Sequence, residues 1–237
     1  MKVVGAYLAF CALLIGGFGL FFYTNPQYLS TNQFIFQDGG AVTIDPLDWP
    51  INLETSDCGN TSSGDTISFS PFTDGERRVA FFSTTDEGVG TNTIQIQDEQ
   101  MDISIDPNCG DTAAVLAYGF KKPQDLEDAR QFALNILSYD GDFEVRFFAL
   151  EVPGLSLGES LALLLEDTSD EDTESLTERF GEGWAFFSKP VSETGDMVMP
   201  FDKPVMSNSL SWRNVRLFGI VIYGSGELSF NRPRLIP

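Results

Sequence analysis

An antiparallel β-sandwich, preceded by one N-terminal transmembrane α-helix, is the fold class that this 237-residue sequence predicts. Three observations carry it. Residues 3–23 form an uncharged, proline-free apolar run whose length as a helix, about 30 Å, matches the hydrocarbon core of a bilayer. From residue 66 onward, short runs rich in apolar and β-branched residues alternate with clusters of Gly, Asp, Asn and Pro, the texture of an antiparallel sandwich. Hydrophobic residues make up 42% of the chain, 21 of its residues are Phe, and they are spread throughout, so the water-facing part can bury a core.

The organisation that follows is a membrane helix over 1–24, a tether with first edge strands over 25–65, and a β-sandwich over 66–237. The apolar run is longer than the core of a cleavable signal and ends in Phe21, Phe22 and Tyr23 with no small-x-small site, so it reads as a retained anchor with interfacial aromatics. Lys2 on its N-terminal side places the N-terminus in the cytoplasm and the acidic domain in the periplasm or outside the cell. At 100° per residue, Gly5, Ala9, Ala12, Gly16 and Gly19 fall on one face, and Tyr7, Phe10, Leu14, Phe18 and Phe21 on the other. A stripe of small residues lets a second helix approach closely, which is how helices associate in lipid. The expected partners are therefore the bilayer and other membrane-protein subunits.

Asn25-Pro26 ends the helix. Short strands are expected at 34–36, 41–44 and 49–53, and 56–65 reads as loop, with an Asn60-Thr61-Ser62 sequon inside it. Further strands are expected at 66–69, 77–83, 93–97, 101–105, 113–120, 131–138, 143–150, 184–190, 197–201, 215–223 and 227–231. In TIQIQ and MDISI every second residue is apolar, as in strands with one wet face. Residues 139–142 (YDGD) and 224–226 (GSG) read as hairpin turns. The stretch 155–165 fits a short helix or a buried strand equally well. In 166–178, Asp167, Ser169, Glu171, Thr173, Ser175 and Glu178 have the spacing of a calcium loop, but Asp172 stands where its tight turn needs Gly, so a solvated acidic loop is expected and no metal is assigned.

Charge and composition restrict the chemistry. The balance of 35 acidic to 14 basic residues gives a net charge of −21, which repels phosphate backbones and excludes nucleic acid. It suits an exported setting or a cationic partner. The chain has no histidine, which removes Ser-His-Asp and Cys-His catalysis and His-ligated metals. Carboxylate, Lys, Tyr or Ser-Lys chemistry stays open to an enzyme; glycoside hydrolysis would need a carboxylate pair, for which Glu76, Glu144 and Glu182 are the conceivable members, and no cofactor motif is present. A non-catalytic role is expected. Cys11 lies within the apolar run, whereas Cys58 and Cys109 form a pair whose disulfide would stabilise an exported domain by roughly 3–4 kcal/mol.

Asp74-Gly75-Glu76-Arg77 before a strand, AAVLAYGF followed by ARQFALNILSYDGDFEVRFFAL, and the closing LSWRNVRLFGIVIYGSGELSFNRPRLI together resemble the galactose-binding-like, carbohydrate-binding-module-like jelly-roll sandwiches of exported bacterial proteins. The resemblance implies a jelly-roll order of strands. It also admits a glycan partner, for which Trp49, Trp184 and Trp212 would be the stacking platforms. Two functions are thus expected: a single-pass accessory subunit whose sandwich caps a larger membrane complex, photosynthetic or respiratory, or a membrane-tethered carbohydrate-binding module. Arg213, Arg216, Arg232 and Arg234 either offset neighbouring acids or form a docking patch.

Overall fold

The computed structural model describes residues 40–67, 72, 75–83, 89–110, 112–151, 177 and 181–237. The anchor with its Gly5, Ala9, Ala12, Gly16 and Gly19 face, the strand expected at 34–36, the 155–165 stretch and all the calcium-loop positions lie outside these residues. Among the described residues no helix is long and apolar enough to cross a membrane.

The described chain is all β: β1 (Val42–Thr43), β2 (Ile51–Thr55), β3 (Thr61–Ile67), β4 (Gly75–Ser83), β5 (Asn92–Gln97), β6 (Gln100–Ile105), β7 (Thr112–Gln124), β8 (Gln131–Leu150), β9 (Trp184–Pro190), β10 (Gly195–Pro200), β11 (Met206–Asn208) and β12 (Val215–Ile236). These strands pair with one another antiparallel throughout, and an isolated parallel bridge joins Trp184 to Ser209, which lies outside them. The expected edge strands are β1 and β2. The loop expected over 56–65 is shorter, because Thr61 to Asp65 already pair with β4, and β11 was not foreseen.

β8 and β12 organise the sheet. They pair with each other from Leu217↔Leu150 to Ile236↔Gln131, and each changes its other neighbour halfway along. The first half of β12 pairs with β7 and its second half with β6, while the second half of β8 pairs with β9 and its first half with β10. Two layers result. The first runs β3-β4-β7-β12-β8-β9-β11 and the second β2-β5-β6-β12-β8-β10, with β1 against the far end of β12. Inward side chains of both, among them Leu116, Phe147, Phe218, Ile94, Ile103, Phe132 and Phe230, form one buried core, so the chain is a β-sandwich.

Residues 139–142 and 224–226 are therefore not hairpin turns. Tyr139 pairs with Leu228 and Phe143 with Gly224, so both segments run through the middle of long strands. Gly141, Gly224 and Gly226 have φ of 132°, 133° and 112°, in backbone regions that side chains rarely enter. A Cβ on any of them would lie about 2 Å from a carbonyl oxygen of the facing strand. The glycines crease two neighbouring strands at the same level, and the chain passes from one layer to the other without reversing.

The Cys58–Cys109 disulfide is formed, with Cα atoms 5.1 Å apart. It joins the β2–β3 connection to the short 3-10 turn between β6 and β7, and both of these segments cross from one layer to the other.

Candidate ligand-binding face

The outer faces of the two layers differ. That of the first carries a second apolar cluster, with Val115, Ala117, Phe148, Leu150, Trp184, Leu217 and Val221 buried. That of the second is polar. Because alternate residues of β5 and β6 are the core positions Ile94, Ile96, Met101, Ile103 and Ile105, the residues between them face outward.

Strand register aligns these outward residues in three rows. One runs Asn52–Gln95–Asp102–Ser229–Ser138, the next Gln97–Gln100–Asn231–Asn135–Asp196, and a third Glu54–Thr93–Ser104–Glu227–Asp140. Strands about 4.8 Å apart and alternate residues about 6.8 Å apart make this a grid of roughly 19 by 14 Å. Every position is an amide, a carboxylate or a hydroxyl. The side chains hold one another: Gln100 donates to Asp102 at 2.6 Å, Asn135 to Asn231 at 2.8 Å, Gln95 to Gln97 at 3.0 Å, and Arg234 pairs with Asp196 at 2.7 Å. Two features interrupt the regularity. Ser229 is only 7% exposed, and its hydroxyl oxygen has no hydrogen-bond partner. Between the Ser229↔Ser138 and Phe230↔Ile136 pairs the register slips, and Leu137, the inserted residue, is left 38% exposed.

A different polar cluster lies inside the sandwich. Asp65, Arg77, Tyr118 and Phe218 share an inner row of the first layer, and the turn after β1 brings Asp45 onto it. Asp45, 1% exposed, accepts hydrogen bonds from the Leu47 amide at 2.7 Å, Arg77 at 3.0 Å and the Tyr118 hydroxyl at 3.1 Å. Arg77 also pairs with Asp65 at 3.4 Å and Asp48 at 3.6 Å, and covers the Trp49 ring at 4.6 Å. Burial raises the Asp45 carboxyl above its ordinary value, with the Arg77 charge acting in the opposite direction. Burial likewise pushes the Tyr118 phenol well up, and the neighbouring Asp45 charge adds to it. The cluster straps the 44–49 turn to the sheet.

The residues singled out in the sequence are scattered. Glu76 pairs with Arg78 at 2.6 Å and Glu144 with Arg146 at 2.5 Å. Glu76 lies level with Leu150, six residues or about 20 Å along β8 from Glu144. Glu182, just before β9, is four strands from Glu76 in the order β4-β7-β12-β8-β9, again about 20 Å. No two of the three are brought together. Of the three expected aromatic platforms Trp184 is fully buried, whereas Trp49, half-buried, lies under Arg77 and Trp212, half-buried, is stacked on Phe201 at 4.5 Å. The ring of Trp184, set in the apolar run WAFF, has a lower free energy in the core than in water. The arginines form no patch. Arg213 pairs with Glu127, Arg216 donates to the Lys121 carbonyl at 2.9 Å, and Arg234 lies near the opposite end of β12. The polar rows were foreshadowed only by the wet positions of TIQIQ and MDISI.

No family model matches the chain, and no curated protein matches it in sequence. Among solved structures it is similar to the family 11 carbohydrate-binding module of the cellulosomal cellulase Lic26A-Cel5E of Clostridium thermocellum, with 12% identity, a TM-score of 0.36, and coverage of 83% of this chain and 94% of that one. A second similarity is to the agarase AgWH50C, with 9% identity and a TM-score of 0.39, over 83% of this chain and 24% of the agarase.

Proposed function

We propose that the chain is a membrane-tethered, non-catalytic glycan-binding module of jelly-roll type, held in the periplasm or outside the cell by residues 3–23, with the outer face of its second layer as the binding surface. The three rows of amides, carboxylates and hydroxyls carry this reading. Amides present donors and acceptors together and carboxylates present acceptors, the complement of a surface of sugar hydroxyls. The exposed Leu137 supplies an apolar spot for the C–H face of a ring. The test is retention of the detergent-solubilised full chain on a panel of immobilised polysaccharides. Retention by at least one of them, lost in the triple variant D102A/N135A/N231A with an unchanged circular dichroism spectrum, supports the reading. Failure of every polysaccharide to retain the chain, or undiminished retention of the variant, removes it.

A role as accessory subunit of a larger membrane complex is the second reading. It is favoured by the small-residue face of Gly5, Ala9, Ala12, Gly16 and Gly19, which suits close packing against another helix. The same detergent preparation separates the two readings, because a subunit leaves the membrane with stoichiometric partners.

A further inference from the structure

Resting on that reading of the second layer, we propose that the glycan it takes carries free amino groups, as in oligomers of glucosamine, and that the amine is held between Glu227 and Asp140 beside Ser229. Glu227 and Asp140 stand directly opposite each other on neighbouring strands, both exposed. Like charges so placed destabilise a sheet, and no basic residue occupies any position of the three rows to relieve them. Arg234, at the margin, is already engaged by Asp196. Asp102 and Glu54 add to the same sign. A second observation is independent of charge. Ser229 precedes the core residue Phe230 and follows the core residue Leu228, so its side chain faces the rows, yet its hydroxyl oxygen has no partner. A polar group hidden from water with nothing to bond is costly, and a ligand that bonds it recovers that cost.

An ammonium group answers both. It is a compact cation with three donors and no acceptor, and it faces carboxylates that only accept and a hydroxyl oxygen able to do so. Among the described residues no group of three or more His, Cys, Asp or Glu is arranged to hold a metal ion, so a cation on the ligand is the counter-charge that fits. The net charge of −21 steers such a ligand inward and turns uronates and sulfated glycans away. N-acetylation removes the charge and two of the donors, which makes it the discriminating control.

The experiment measures binding of the full chain in detergent to three hexamers: glucosamine, N-acetylglucosamine and a neutral β-glucan. The expected result is roughly tenfold tighter binding of the glucosamine hexamer at low salt, a margin that narrows as rising salt screens the contact. The double variant E227Q/D140N should bring glucosamine down to the level of its acetylated form. The variant D128N/D202N makes the same change of charge in exposed loops beyond the rows, and should leave the preference in place. Equal binding of the three hexamers, or a preference that survives E227Q/D140N or falls equally in D128N/D202N, overturns the amine proposal and leaves the glycan reading standing. Failure of all three to bind overturns this proposal, while the polysaccharide panel decides the broader reading separately.

Discussion

Asp45 lies 32 residues from Arg77 and 73 from Tyr118 in the chain, yet one carboxylate accepts from both. A charge removed from water needs such partners, and losing one leaves the other uncompensated. Arg77→Met should therefore cost about 3–5 kcal/mol of stability at neutral pH, read from urea unfolding. The pH dependence has a definite sign. Because the folded carboxyl of Asp45 is raised above its unfolded value, its contribution is fully present below about pH 3.9 and is lost as pH rises through the raised value. Paired urea titrations of the wild type and Asp45→Asn between pH 4 and 7 should show the stability of the wild type relative to the variant falling as pH rises. A difference that grows with pH would mean that pairing with Arg77 outweighs burial. Nothing in the sequence marks this cluster, since Asp45, Arg77 and Tyr118 are joined only by the strand order β3-β4-β7-β12 and the turn after β1.

At the scale of elements, the long strands β8 and β12 hold the clearest difference between sequence and structure. YDGD and GSG, each between two apolar runs, have the composition of hairpin turns, and the local chemistry of a crease is the same: glycine is needed for positive φ in either case. What separates them is the partner. In a hairpin the flanking runs pair with each other, whereas here the two glycine segments pair with one another, Gly141 facing Gly226. Gly141→Ala should cost at least roughly 1–3 kcal/mol from backbone strain alone, with more from the Cβ held 2.0 Å from the Ser225 carbonyl oxygen. Urea unfolding midpoints measure it, and a loss below about 0.5 kcal/mol, the range of ordinary surface substitutions, would show that the crease can relax. The alternating strands β5 and β6 behaved as their pattern required, because a period of two against a buried core admits one register and puts Gln95, Gln97, Gln100 and Asp102 in water.

For the whole molecule, the disulfide links two layer-crossing connections across a separation of 51 residues. Replacing Cys58 and Cys109 by Ser should lower stability by about 4 kcal/mol in the chain-entropy model, measurable as a lower unfolding midpoint. The two layers also part in character on their outer sides, since the first is apolar and buried while the second is amide-rich and wet. The sequence by itself determined the all-β class, the wet side of β5 and β6 and the eligible cysteine pair, because periodicity, composition and residue type are local properties. Tertiary structure decided the rest. Whether a glycine segment turns or creases, whether a tryptophan meets solvent or core, and whether Asp102, Ser229, Asn231, Asn135 and Asp140 share one surface all depend on which strands pair, and pairing is set by burial summed over the whole chain.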